Sequence, residues 1–591
     1  MDHLVKEWLR IDRNEATRSE IQELWEAGNE EELEKRMSLP FITYKGLRGR
    51  MEAGWSRMND LIIIQASQGL CQYVLSHVKD AVSRGVVIGH DHRHNSEHWA
   101  QLTAATFLTS NVKVYLHRGL VHTPMVPFSV KKLNAACGVM ITASHNPKQD
   151  NGYKVYWENA VQIIAPHDAG ISESIKANLE PKTWDVANIT SSNLCLDRTA
   201  QMKDAYFESL APQRMSLSAG SAGTAFCVRF VNTSMHGVSE PFVSSAFKLF
   251  GLVPPTHVPE QQVPDPDFPT VTFPNPEEKG ALDLAMKTAA KNNINYVLAQ
   301  DPDSDRFAAA ERQPTGEWIA FTGDQLGVLF AACILERYRR SGKPLDKLAM
   351  VASTVSSKMV EAMANVEGFK FVECLTGFKY IGNVALNLER QGYEVPFGYE
   401  EAIGYMFGPD IRDKDGVAAT LVFAQLVESL VARQKTVNQY LNNLYKKYGH
   451  FVTSNSYFIC SDSPTIDSIF ARLRNFTESI SESFNYPTEI AGMSVTRVVD
   501  LTTGYDSANP PKFKPSLPIS SGHMVQFRAE DKEKGVKIAL TIRTSGTEPK
   551  IKYYLEGNGY DREILVSTLR QVVDELGDKW LEAKNHNLGR P

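Results

Sequence analysis

A chain of 591 residues, at about 150 per domain, calls for roughly four domains. Hydrophobic residues make up 42% and charged residues 22%, and a net charge of −6 with scattered Lys and Arg offers no basic face to nucleic acid or an anionic membrane. No apolar run reaches the length of a membrane span, Met1–Glu7 lacks a signal peptide's apolar core, and seven dispersed cysteines make no C-x-x-C pair or disulfide framework; the expected compartment is the cytoplasm.

Residues 1–39 predict two amphipathic helices, one carrying Leu4, Val5, Trp8 and Leu9 at helical spacing and one spanning the charged run Glu20–Arg36. The loop Gly46-Leu47-Arg48-Gly49-Arg50 precedes a helix over Leu61–Lys79 and a strand at Gly85–Gly89. That strand runs into His90-Asp91-His92-Arg93-His94-Asn95, where strand propensity has ended, so the three histidines read as polar loop residues and not as a zinc site. The strand Val112–Leu116 follows, then Gly138-Val139-Met140-Ile141-Thr142-Ala143-Ser144-His145-Asn146-Pro147, an apolar β-prone run that stops at small and polar residues. This β-α-β-α-β alternation predicts a parallel or mixed sheet covered by helices, with Ser144 just past the carboxyl end of a strand. There it could be a nucleophile, a phosphate ligand or a helix cap.

A polar, Ser/Asn-rich stretch from Pro181 to Ala219 reads as containing a linker, with a short helix expected at Met202–Ser209. A second unit is expected to hold the strands Phe226–Val231 and Ile294–Ala299 with a helix near Glu277–Lys291. A third should begin with the helix Asp324–Arg340 and hold the strands Leu348–Ala352, Lys370–Cys374 and Val395–Phe397. Their common strand-loop-helix rhythm hints at an internal structural repeat. After about Gly449 the character changes: Gly535–Arg543 and Lys550–Leu555 alternate like an antiparallel pair, and a helix over Asp561–Lys584 should pack on it. The fold class expected is α/β, three similar α/β domains with mixed sheets plus a C-terminal α+β domain, divided at residues 1–215, 216–318, 319–445 and 446–591.

Four loops carry chemistry. Asp301-Pro302-Asp303-Ser304-Asp305-Arg306 places three carboxylates at alternate positions on a tight turn, which is costly unless a cation sits there. All-oxygen ligands select a hard ion, Mg²⁺ first; Arg306 and Arg312 stand where an EF-hand needs glycine and glutamate. Thr541–Lys550 sets a hydroxyl-rich turn between Arg543 and Lys550, suited to a phosphate, without P-loop spacing. Phe397–Tyr405 carries Glu400 and Glu401 between glycines, with Arg412–Gly416 close behind, and such carboxylates and cations can hold a sugar phosphate. Ser144 beside His145 is no hydrolase nucleophile, since adjacent residues seldom align as nucleophile and base and G-x-S-x-G is missing.

Taken together, Thr142–Pro147, Asp301–Arg306, Gly398–Gly404 and Arg543–Pro549 resemble, in order, the four active-site loops of the α-D-phosphohexomutase superfamily, and the resemblance covers nearly the whole chain. Thr376–Gly382 and Arg412–Gly416 are similar to the branch with eukaryotic phosphopentomutase and glucose-1,6-bisphosphate synthase. The resemblance implies four domains lining a central cleft, a phosphorylated Ser144, and Mg²⁺ held by Asp301, Asp303 and Asp305 against it. Thr376, Gly377, Lys379, Glu400, Arg412 and Lys414 would bind substrate, and Arg543, Ser545, Gly546 and Thr547 the phosphate that is not reacting. Arg48, Lys154 and Arg306 would lie near the reacting oxygens, with Lys154 the general base, its pKa lowered by neighbouring cations.

The implied enzyme is an isomerase interconverting ribose or deoxyribose 1- and 5-phosphates, and glucose 1- and 6-phosphates, activated by glucose 1,6-bisphosphate or ribose 1,5-bisphosphate. Its partners would be small sugar phosphates only. The alternatives are a glucose-1,6-bisphosphate synthase and a non-catalytic sugar-phosphate sensor. Two departures stand out. The family's Phe-Gly-Thr-x-Gly-Leu-Arg loop becomes Phe41–Arg48 with Ile42 in place of Gly and one extra residue, and Glu-Glu-Ser becomes Glu400-Glu401-Ala402, which removes a hydroxyl and favours a pentose phosphate, or loosened selectivity, over strict use of glucose 1-phosphate.

Overall fold

The computed structural model describes residues 1–38, 47–214, 228–460, 462–476, 485–520, 522–545 and 550–590. Two compact units make up the chain, one of Met1–Ala352 with Gly377–Val437 and the other of Ser353–Thr376 with Asn438–Pro591.

The strands of the first unit run β1 (Leu47–Arg50), β2 (Val86–His90), β3 (Val114–Leu116), β4 (Cys137–Ile141), β5 (Asp150–Tyr156), β6 (Cys195–Leu196), β7 (Val231–Thr233), β8 (Thr256–His257), β9 (Tyr296–Ala299), β10 (Ala308–Arg312), β11 (Trp318–Ala320) and β12 (Leu348–Ser353). After β13 (Lys370–Cys374), which falls in the second unit, come β14 (Glu394–Glu400) and β15 (Gly404–Phe407). They form one sheet in the order β1-β5-β4-β2-β3-β6 and another in the order β11-β10-β9-β7-β8. In a third, β12 lies parallel to β14 and β15 antiparallel to it. β2 and β4 are buried along their whole length, as parallel strands covered on both faces should be.

The expected repeat is carried by topology. In each sheet a strand from the parallel part turns back into an antiparallel neighbour: β4 into β5, β9 into β10, β14 into β15. Those three connections hold Ser144, the Asp301–Asp305 carboxylates and the Glu400–Gly404 turn. The fold thus presents its chemistry three times from the same place.

Some expectations change. The N-terminal segment forms three helices, Asp2–Ile11, Glu15–Glu26 and Glu30–Met37, because Gly28 takes a φ of +65° and the Asn29 side chain then caps a new helix at the Glu32 N–H. They bury Trp8, Ile21, Leu33 and Met37 against Trp55, Leu61 and Ile62. Within the stretch read as containing a linker, the helix expected at Met202–Ser209 runs from Thr199 to Leu210, with Tyr206 fully buried. The second sheet opens at Val231, later than the predicted Phe226, which lies outside the described residues.

The second unit builds one antiparallel sheet from β16 (His450–Thr453), β17 (Ser456–Ile459), β18 (Glu489–Ile490), β19 (Met493–Asp500), β20 (Tyr505–Asp506), β21 (Met524–Asp531), β22 (Val536–Thr544) and β23 (Lys550–Gly559), the β22–β23 hairpin lying inside it. The helix Arg562–Glu575, capped by Asp561, lays Leu565, Leu569 and Val572 on one face, with Trp580 beyond. It ends earlier than expected, passing into a π turn over Leu576–Trp580.

Candidate active site

Past the end of β4, the Thr142 N–H donates to the Gly152 carbonyl at 3.1 Å, and a Cβ on Gly152 would meet the Thr142 carbonyl oxygen at 2.7 Å. This close strand approach starts the Ser144 loop. Thr142 Oγ1 then accepts the Ser144 N–H at 2.9 Å, and Ser144 sits at φ +56°, a conformation costing a non-glycine residue about 1–2 kcal/mol. Its hydroxyl is buried and donates to Asp301 Oδ2 at 2.9 Å. His145 Nδ1 is 3.3 Å from the same hydroxyl, but burial, and then the charges of Arg306 and Arg48, hold that imidazole well below its ordinary value.

Asp301, Asp303 and Asp305 are buried on the β9–β10 connection, one carboxylate oxygen from each lying within 4.8 Å of the other two. Like charges about 4 Å apart repel by about 4 kcal/mol even at an effective dielectric of ~20, so cations must be close. Lys154 Nζ donates to Asp303 Oδ2 at 2.7 Å and Asp305 Oδ2 at 3.1 Å, Lys414 Nζ lies 3.1 Å from Asp305, and Arg306 Nε lies 3.9 Å from both Asp301 and Asp305. Thr123 adds a hydroxyl to Asp303 at 2.6 Å. Burial opposes ionisation of Asp303, but the Lys154 charge and these hydrogen bonds outweigh it and hold the carboxyl well below the carboxylate range. Burial, with Asp303 and Asp305 alongside, pushes Asp301 well above it.

Asp303 Oδ1 and Asp305 Oδ1 are buried without a hydrogen-bond partner. Three convergent carboxylates, two orphaned oxygens and an adjacent serine hydroxyl fit a hard divalent cation. Among the described residues this is the one cluster of three potential ligands that converges; His90, His92 and His94 do not.

Lys154 differs from expectation. Burial lowers its pKa, yet Asp303 and Asp305 more than reverse that and raise it above the ordinary lysine value, since the charges nearest its nitrogen are carboxylates. Its ammonium donates to both of those carboxylates.

At the β14–β15 turn, Arg306 donates to the Ala402 carbonyl at 3.0 Å and the Phe307 N–H to the Ile403 carbonyl at 3.1 Å, which joins this turn to the carboxylate loop. Ile403 itself is held at φ +50°. Glu400 is buried, and desolvation, partly offset by Lys414 and Arg306, pushes it up to about 7. Gly377, at φ +112°, opens the helix Phe378–Arg390, and Lys414 lies over the Phe378 ring. Arg48, Ser144, Lys154, Arg306, Gly377, Lys379 and Lys414 line a single cavity of about 270 Å³. Arg48, paired in register with Gly152, donates to Asn146 Oδ1 at 3.2 Å.

Arg412 is not brought to that cavity. Its buried guanidinium pairs with Glu389 and donates to the carbonyls of Val395 and Gly408 at 2.8 and 3.1 Å, so it braces β14. Thr376 belongs to the second unit. There Arg543, near the end of β22, donates to the Tyr554 hydroxyl at 3.0 Å, and the Ser545 N–H donates to the Lys550 carbonyl at 2.9 Å. Gly546 and Thr547, like the altered stretch Phe41–Gly46, lie outside the described residues. Thr123 and Arg93, both within this site's framework, do not stand out in the sequence. Thr123 meets Asp303 across 180 residues, and no local signal marks it.

The family description "Phosphoglucomutase/phosphomannomutase" matches as alpha/beta/alpha domain I over residues 42–182, domain II over 204–316 and domain III over 322–448. The chain is 45% identical to "Probable phosphoribomutase" of Schizosaccharomyces pombe over 100% of this chain and 99% of that one, and 44% identical to "Phosphopentomutase" of Homo sapiens over 100% and 97%. In fold it is similar to the crystal structure of a putative phosphomannomutase from Thermus thermophilus, at a TM-score of 0.63 and 19% identity over 91% of this chain and 100% of that one. The chain belongs to the phosphoglucomutase/phosphomannomutase family, within the α-D-phosphohexomutase superfamily and on the branch with the eukaryotic phosphopentomutases.

Proposed function

We propose that this protein is a phosphopentomutase of the cytoplasm, interconverting ribose or deoxyribose 1-phosphate and 5-phosphate and taking glucose 1- and 6-phosphate as second substrates. The observation that carries the reading is the Ser144 hydroxyl, 2.9 Å from a buried carboxylate triad with two orphaned oxygens. Relatives over the full chain point the same way.

In the proposed reaction Ser144 carries a phosphoryl group. Its Oγ–P bond breaks as a bond forms from the sugar hydroxyl oxygen to the same phosphorus, and the hydroxyl's proton passes to the phosphoryl oxygens. The resulting sugar bisphosphate, which also serves as activator, gives its other phosphoryl to Ser144: the bond from that sugar oxygen to its phosphorus breaks as the Ser144 oxygen bonds to the same phosphorus, and the freed sugar oxygen takes up the proton that the phosphoryl oxygens received. Asp301, Asp303 and Asp305 would hold Mg²⁺, which supplies charge neutralisation to the transferring phosphoryl. Arg306, Lys414 and Arg48 add fixed positive charge around it. Lys154, charged through its carboxylate partners, protonates the departing Ser144 oxygen and takes that proton back in the return step. Glu400 would accept hydrogen bonds from sugar hydroxyls, and Gly377 and Lys379 line the cavity. Ala402 offers no side-chain hydroxyl, which favours a pentose. The turn of Arg543, Ser545, Gly546 and Thr547 is the proposed holder of a sugar phosphate group in the second unit. The division into phosphoserine (1–215), metal (216–318), sugar (319–445) and phosphate (446–591) domains is part of the same reading.

The test is a substrate assay of the purified protein with Mg²⁺. Ribose 1-phosphate with catalytic bisphosphate should give ribose 5-phosphate, faster than glucose 1-phosphate gives glucose 6-phosphate. Release of sugar bisphosphate as the main product from 1,3-bisphosphoglycerate would instead mark a synthase. Tight sugar-phosphate binding with no turnover would mark a sensor.

A further inference from the structure

Arg93 has no part in the chemistry above, yet its buried guanidinium is wrapped by the Ser144 loop. One terminal nitrogen donates to the carbonyls of Ser144 and Asn146, each at 2.6 Å, and the other to those of Pro147 and Asp150 at 2.9 and 3.1 Å. Three carbonyl oxygens of the β4–β5 connection and that of Asp150, the first residue of β5, therefore converge on a single cation. Arg93 is itself fixed in place. Asp91 Oδ2 lies 3.4 Å from its Nε, Asp91 Oδ1 accepts its N–H at 3.0 Å and the Ser96 hydroxyl at 2.6 Å, and Phe268 lies 5.0 Å over the guanidinium.

The consequence falls on Ser144. Left to itself, a serine would leave the left-handed region and recover about 1–2 kcal/mol. Two contacts prevent this. Thr142 holds the N–H before its Cα, and Arg93 holds the carbonyl after it. With the peptide units on both sides pinned, φ and ψ are set and the Cα–Cβ bond points one way. Rotation about χ1 alone then decides where Oγ lies relative to Asp301.

We propose that Arg93 is a positioning residue for phosphoryl transfer, holding the Ser144 backbone in its left-handed conformation so that Oγ stays aligned with the carboxylate triad. This rests on Ser144 being the phosphoryl carrier. Arg93 touches neither the sugar nor the phosphoryl group, and its effect runs through the carbonyls it binds. Lysine keeps the charge but has one nitrogen and no planar fork, so it cannot serve four carbonyls spread around a guanidinium.

The experiment uses the full-length protein and compares Arg93→Lys and Asp91→Asn with the wild type. It measures kcat and KM for ribose 1-phosphate, the thermal midpoint, and the rate at which a sugar bisphosphate phosphorylates Ser144, per folded molecule. The proposal expects kcat and the phosphorylation rate to fall together by about 10²-fold in Arg93→Lys, the scale of a misplaced reacting atom, with KM nearly unchanged. Asp91→Asn should show the same pattern at roughly tenfold, since the amide oxygen keeps the N–H contact while a neutral NH2 donor replaces the charged oxygen facing Nε. A phosphorylation rate per folded molecule equal to wild type in Arg93→Lys would overturn the proposal and leave Arg93 a purely structural residue. If Arg93→Lys does not fold, Asp91→Asn decides by the same criterion. A Ser144→Ala control that keeps turnover would instead remove the carrier reading, and the proposal with it.

Discussion

Asp303 accepts from Lys154 and Thr123 through one oxygen while the other stays unpaired. Replacing it with Asn keeps the shape and removes the charge. Asp303→Asn is expected to lower turnover by about 10²–10³-fold, the scale seen when one electrostatic stabiliser is lost, and to raise the Mg²⁺ concentration for half-maximal activity. A metal titration of the variant checks both. Glu400 gives a pH test. Its carboxyl, pushed up to about 7 by burial, must ionise to accept sugar hydroxyls fully, so turnover should rise with pH through about 7. Glu400→Gln should flatten that limb and lower activity above it. The stability effect has the opposite sense. A carboxyl whose folded pKa lies above its unfolded value contributes stability at low pH and loses it as pH rises through about 7. Glu400→Gln should therefore gain on the wild type between pH 5 and pH 8, by up to about 3 kcal/mol, in chemical denaturation.

Among the elements, the β4–β5 pair decides how the Ser144 loop leaves the sheet. A side chain at Gly152 would meet the Thr142 carbonyl at 2.7 Å and that of Leu47 at 3.0 Å, both backbone atoms with little room to move. Gly152→Ala should cost about 1–3 kcal/mol of stability by forcing β5 away from β4 and β1, with turnover falling further than stability does. Denaturation and kinetics on one preparation measure both. Sequence patterning locates most of these elements, because continuous apolar runs such as Val86–Ile88 and alternation such as Val536–Arg543 leave little choice. It does not foresee Gly28 and Asn29 splitting the second N-terminal helix, since a helix boundary inside a charged run carries no apolar signal. Nor does it foresee Arg412 as a brace. One more cation in a polar loop reads as a ligand until Glu389 and two carbonyls are seen to consume it.

For the molecule as a whole, the site depends on three strand-to-strand returns that repeat in topology and not in sequence. Ser144 meets Asp301 across 157 residues, and Arg306 meets Ala402 across 96. The loops are legible because each concentrates Ser, Asp, Glu or Gly where an apolar run stops. Their joining is not, because long-range pairing leaves no local pattern, and Thr123 and Arg93 escape notice for that reason. The reversed shift at Lys154 follows from the same joining, since its carboxylate partners come from another sheet. The most direct test follows one phosphoryl group. Protein treated with a sugar bisphosphate should show one added phosphate by intact mass, mapped to Ser144, which leaves for the sugar when ribose 1-phosphate is added, while Ser144→Ala takes up none and loses turnover. A phosphate that does not chase into sugar, or a Ser144→Ala protein that still interconverts ribose 1- and 5-phosphate, would contradict the account.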